Sequence, residues 1–205
     1  MFNKALCFCL FAIVPTIAHA DDDCLAYKIR PRITVSAPEW TKQVVQPLRE
    51  MDLLHGDVIA TLVDNYDITG DVTPIEDGFC VSLKSVAATV GYSDFLVQID
   101  MRHGPDTCAY NAVLSHEDEH IRAYLSIIND FQTDLHNSIY AAADSVMPVF
   151  VKNEEDIDGA LDTLNQNLQS HPDVILIKQK IRAAEEIRNK RVDENDDGTR
   201  LKQCM

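Results

Sequence analysis

From Thr107 to Met147 the chain runs without a glycine or a proline, between Gly104-Pro105 on one side and Pro148 on the other. On a wheel of ~100° per residue, Tyr110, Val113, Ile121, Tyr124, Ile128, Phe131, Leu135 and Ile139 all fall within roughly 40° of Glu117. The pattern predicts one long amphipathic helix that starts near Thr107 with Asp106 as its N-cap and stops at Pro148. Glu117 then stands at the centre of the apolar stripe, where a carboxylate costs several kcal/mol unless it is paired, hydrogen-bonded or beside a metal ion.

The residues around it give the reason for such a placement. Ser115-His116-Glu117-Asp118-Glu119-His120 contains H-E-x-x-H. Two histidines four residues apart lie one helical turn apart, so both imidazoles can reach one zinc ion, and the adjacent Glu can take a proton from water. His116 and His120 are the candidate metal ligands and Glu117 the candidate general base, whereas Asp118 and Glu119 fall on the opposite, solvent side of the wheel.

Ahead of the helix the period is two. Tyr27, Ile29, Ile33 and Val35 alternate with polar residues, and Pro31 pushes that strand to a sheet edge or a bulge. Glu39 to Leu54 is weakly helical but interrupted by Pro47, Val58 to Val63 is a short apolar run, and Gly70, Pro74 and Gly78 mark a loop. Phe79, Val81 and Leu83, a turn at Gly91 to Asp94, and Phe95, Val97, Ile99 and Met101 read as an antiparallel hairpin. Beyond Pro148 two more helices are predicted, from Glu154 to Gln169 and from Pro172 to Val192. The fold class is α+β: a small antiparallel sheet, the long motif helix and a helical C-terminal third. Residues 21–205 form one domain, with 21–105 mainly β and 106–205 mainly α.

Residues 1–20 read as a secretory signal, with Lys4 as the basic start, Ala5 to Val14 as the apolar run, and cleavage after Ala18-His19-Ala20. This implies a secreted or periplasmic protein. The remaining chain carries 17 basic against 33 acidic side chains, an excess that repels phosphate backbones and anionic lipid, and no other segment is apolar enough to cross a membrane. Nucleic-acid binding and stable membrane insertion are therefore not expected. Cys24, Cys80, Cys108 and Cys204 remain, an even number suited to two disulfides. Of the three possible pairings, Cys80 with Cys108 and Cys24 with Cys204 is preferred, the first lying at either end of one strand unit and the second tying the termini.

From Phe79 to Phe131, on Cys108-x-Tyr110-x-x-Val113-x-x-His116-Glu117-x-x-His120, the chain resembles the zincin metallopeptidases, and in particular small secreted bacterial proteins described as zinc-dependent proteases. The resemblance implies a zinc ion on His116 and His120, Glu117 as general base, and a peptide or protein substrate in the envelope or outside the cell. A strand followed by the motif helix would let an extended peptide pair with the sheet, and Phe95 to Met101 is placed for it. Ala123 and Ser126 stand where a metzincin has Gly and a third His, and G-T-x-D is absent. A third ligand must come from elsewhere. If the chain turns back at Pro148, reflection about residue 150 sets residues 180–184 opposite the motif and makes Glu185 the candidate, in the gluzincin manner. Asn189 stands where that pattern has Asp, a salt bridge of Glu185 to Arg182 or Arg188 is the competing role, and His171 and Glu155 are weaker alternatives. Tyr92, Tyr110, Tyr124 and His103 are candidates to stabilise an oxyanion. Asp193-x-Asn195-x-Asp197-Gly198 opens like a calcium loop but ends on Cys204 and reads better as a solvated helix end. The expected function is a zinc-dependent exported hydrolase. A non-catalytic zinc-binding or interaction module of the envelope is the alternative.

Overall fold

The computed structural model describes residues 22–47, 55–196 and 198–204; the predicted leader over 1–20 and part of the weakly helical stretch, 48–54, lie outside them. After a single helical turn α1 (Asp22–Leu25), the chain forms strands β1 (Arg32–Ser36), β2 (Thr41–Val45), β3 (Gly56–Ile75) and β4 (Gly78–Ile99). Helix α2 (Cys108–Ser145) follows, then β5 (Val149–Val151), a 3-10 turn (Glu154–Asp156), α3 (Ile157–Gln169), α4 (Pro172–Asp196) and the short α5 (Thr199–Lys202).

Strand β4 is the axis of the sheet. Along one side β3 pairs with it antiparallel from Gly56–Ile99 to Ile75–Gly78, a hairpin closed by Glu76-Asp77. Along the other side β5, β1 and β2 follow one another, β5 antiparallel and β1 and β2 parallel to β4. The sheet is mixed, not antiparallel as expected, because β1 and β2 lie end to end against one long strand and both run with it. In the described part of the stretch from Glu39, Thr41–Val45 is strand and no residue is helical.

The turn expected at Gly91 is a bulge inside β4. Gly91 has φ +154°, a Cβ there would lie 2.8 Å from Pro38 Cδ, and Ser93 is passed over in the register with β3. Gly70 and Pro74, read as loop, sit within β3. Proline is tolerated there because β3 borders the sheet and its free N–H positions face outward. Phe95 to Ile99 is consequently interior, since Phe95 to Gln98 pair with β2 on one side and β3 on the other. Among the described residues, the border near the motif that pairs with no other strand belongs to β3.

Helix α2 starts as predicted, but its cap is Thr107, whose Oγ1 accepts from Tyr110 N at 3.2 Å. Asp106 has φ +61°, left-handed, and an N-cap needs extended backbone. Val113, Ile121, Ile128, Leu135 and Ile139 are buried, as the stripe required, against Phe95, Val97 and Ile99 of the sheet. Ile127, Ala142 and Ala143 are buried as well, and α4 lies along α2. The two disulfides are Cys24–Cys80 and Cys108–Cys204. The preferred pairing of Cys80 with Cys108 is overturned because no hairpin folds β4 back. At ~3.3 Å per residue, an unbroken strand from Cys80 carries the chain roughly 60 Å before it reaches α2.

Candidate metal centre

The motif opens on a cleft between α2 and the C-terminal part of α4. His116 Nε2 and His120 Nε2 are 3.2 Å apart, and Asp193 Oδ1 of α4 lies 3.0 Å from the second and 3.4 Å from the first. These three groups could hold a metal ion. The other nitrogen of each ring is turned away. His120 Nδ1 is hydrogen-bonded at 2.9 Å to Asn189 Oδ1, and His116 Nδ1 lies 3.0 Å from Asp196 Oδ2. His116 Nδ1, although close to Asp196, makes no hydrogen bond among the described residues, whereas the Asn189 acceptor favours the Nδ1–H tautomer of His120 and leaves its Nε2 lone pair aimed at His116 Nε2 and at the Asp193 carboxylate. Such a cluster of acceptors is repulsive unless a proton or a cation sits among them. Asp193 is 63% exposed, so one side of the site is open to solvent.

Glu117 is 3% exposed and lines the same cavity of about 510 Å³. Burial, reinforced by the charges of Asp57, Asp193 and Asp118, pushes its carboxyl up to about 8. Its place against β3 depends on a missing side chain: a Cβ on Gly56 would stand 2.4 Å from Glu117 Oε1 and 2.5 Å from Val113 Cγ1. Asp118 and Glu119 point outward as expected, the first to Lys42 on β2 at 2.7 Å and the second to Arg200 at 2.6 Å. Arg200 also reaches Ser115 Oγ and lies 3.9 Å from Asp196, so α5 braces both walls of the cleft.

Glu185 is not at the centre. Its carboxylate accepts from the Tyr92 hydroxyl at 2.8 Å, and at ~1.5 Å rise per residue it stands about 12 Å along α4 from Asp193. Burial and this bond push the Tyr92 hydroxyl pKa well up. Reflection about residue 150 misplaces the register because residues 146–171 form β5 and α3 before α4 begins. Glu185 nonetheless shares one face of α4 with Asn189, Asp193 and Asp196, which follow it at spacings of four, four and three. Asp193 and Asp196, expected as solvated surface, lie in α4 and line the cleft.

His171 is at the far end of α4, 3.8 Å from Asp173, and Glu155 is exposed in the 3-10 turn. Of the oxyanion candidates only Tyr124 lines the cavity, with His55 beside it. His103 stands behind, its Nε2 3.0 Å from His55 Nδ1, and burial followed by the neighbouring His55 lowers its pKa. The loop carrying His103 is held by the buried Asp100 carboxylate, which accepts from Arg102 N and Nε at 2.7 and 2.9 Å, and by Gln46, which donates to the His103 carbonyl at 2.7 Å.

No protein-family model, curated protein or solved structure matches the chain. Two disulfides suit an oxidising compartment, and among the described residues no helix is long and apolar enough to cross a membrane.

Proposed function

We propose that the chain is an exported zinc metallopeptidase. The observation that carries this reading is the convergence of His116, His120 and Asp193 beside the buried carboxylate of Glu117 in an open cavity. Two imidazole nitrogens and one carboxylate oxygen suit zinc, and separations of 3.0 to 3.4 Å match the ~3.3 Å edge of a tetrahedron with bonds of about 2.0 Å. The supporting group on His120 fits as well, since Asn189 holds that ring with Nε2 forward, and Asp196 lies beside the His116 ring.

Bound zinc supplies a Lewis acid that polarises the scissile carbonyl and lowers the pKa of water toward ~7. Glu117 accepts the proton of the attacking water and returns it to the leaving amine. Its raised proton affinity in the buried site suits that relay, and a bound cation would draw the carboxyl back toward the ionised, accepting form. Tyr124 lines the wall where an oxyanion would develop. The free border of β3 at Gly56 to Val58 also lines the cavity, so an extended peptide can pair with it and cross the centre.

The test is hydrolysis of unfolded casein by the zinc-loaded chain. Glu117→Gln is expected to keep stoichiometric zinc and lose about 10²- to 10⁴-fold in rate, whereas His116→Ala and His120→Ala lose the metal. Full activity in Glu117→Gln would overturn the mechanism, and zinc binding without hydrolysis in the parent would leave a metal-binding module.

A further inference from the structure

A second cavity, of about 590 Å³, adjoins the first and shares Tyr124 and Asn189 with it. Its remaining walls come from Ala60 and Leu62 of β3, Tyr92 of β4, and Arg182, Glu185 and Glu186 of α4. The two cavities therefore follow each other along β3, the first at Gly56 to Val58 and the second at Ala60 to Leu62. Beyond Leu62 the passage narrows to a contact, where Lys178 of α4 bridges to Asp64 at 2.6 Å and lies over the Tyr66 ring. Between that bridge and the metal centre, β3 and α4 stand apart as two walls of a groove.

The inner wall of the second cavity is apolar. Tyr92 and Tyr124 pack edge to face with ring centroids 4.8 Å apart, and the Tyr92 hydroxyl is already committed to Glu185. Leu62 lines the cavity with 39% of its surface exposed. The bulge at Ser93 keeps Leu62 opposite Tyr92 in the register, which places this leucine over the aromatic pair.

We propose that this cavity is the last subsite of a peptide groove and that it takes a large aliphatic or aromatic side chain of the polypeptide crossing the metal centre. The occupant follows from continuity, because the same strand border and the same two residues, Tyr124 and Asn189, serve both cavities. The proposal rests on the peptidase reading for the direction of the ligand but not for its binding. Four residues along β3 span ~13 Å, so the recognised side chain lies three to five residues from the scissile bond, on one side only. The Lys178–Asp64 bridge ends the groove there, and residues farther out contribute nothing.

The experiment exposes a tryptic peptide library from a bacterial lysate to the zinc-loaded chain and reads the residues flanking each cut by mass spectrometry. Leu, Ile, Phe and Tyr are expected to be enriched at one position three to five residues from the cut, with no preference beyond it. Leu62→Arg should reduce that enrichment about tenfold, the scale of burying part of one apolar side chain, while Leu62→Met retains it and both variants keep their zinc. A flat profile at those positions, or one unchanged in Leu62→Arg, overturns the subsite. In parallel, zinc-loaded Glu117→Gln is incubated with arrayed peptides of the same library. Retention with the same Leu62-dependent preference but no cutting by the parent would sink the peptidase reading and leave the groove standing; neither cutting nor retention would overturn the groove itself.

Discussion

Glu117 shows most sharply how a single residue can be costly to the fold and useful to the site. Burial, with the charges of Asp57, Asp193 and Asp118, pushes the Glu117 carboxyl up to about 8, against 4.5 for an ordinary glutamate. A group with its folded pKa raised stabilises fully below its unfolded pKa, and that contribution fades as pH rises through the folded value. Thermal melts of the metal-free chain should therefore lose stability between about pH 5 and 8, and Glu117→Gln should lose less over that window. Equal slopes for the two proteins would mean that Glu117 is solvated. Zinc should narrow the difference, because its charge replaces the proton. Gly56 belongs to the same economy of space, since any side chain there would occupy the position of the Glu117 carboxylate.

At the scale of elements, α4 decides the composition of the centre. The sequence reading chose Glu185 of this helix, whereas the structure sets Asp193, two turns farther along the same face, beside the two histidines. What the sequence did not reveal is how many residues between Pro148 and Pro172 run beside α2 and how many leave it, because that depends on β5 and α3 finding the sheet. Asp193→Ala is expected to weaken zinc binding severely and Asn189→Ala by about 10- to 100-fold, while Glu185→Ala leaves it unchanged; titration against a chromogenic chelator reads all three. Loss of zinc in Glu185→Ala would restore the other register. The motif helix was legible almost to its ends, because a stretch free of Gly and Pro with a 3.6-residue stripe has few alternatives. Strand β4 was not, since Gly91 and Ser93 carry the composition of a turn and only the pairing with β3 on one side and with β1 and β2 on the other makes them a bulge.

Across the whole molecule, the covalent cross-links bracket the site. Cys108 begins α2, two turns before His116, and Cys204 follows α5, so one disulfide holds the ends of both walls of the cleft together. Cross-linking a loop of this size is worth at most about 4 to 5 kcal/mol in the chain-entropy account, with 2 to 4 more usual. Cys204→Ser should lower the melting temperature and reduce zinc occupancy in the same preparation, because Arg200 and Asp196 lose their restraint. Unaltered zinc affinity in the folded variant would show that α4 alone positions Asp193. Cysteine number was informative and cysteine pairing was not, for the partners are set by where a long strand delivers its ends.

The free border of β3 has one more consequence, for encounters between copies of the chain. A strand of this length with one side unpaired among the described residues is open to edge-to-edge association. Asp57, Asp64, Asp67 and Asp71 all lie on it and no basic residue does; Lys178 and Lys84 answer the second and the fourth. A like copy would bring Asp57 and Asp67 against another acidic border on a body of net charge −15. An uncharged or basic peptide meets no such barrier. The border that can receive a foreign strand is thus electrostatically closed to its own kind, and the acidity of the chain helps to keep the groove vacant for other molecules.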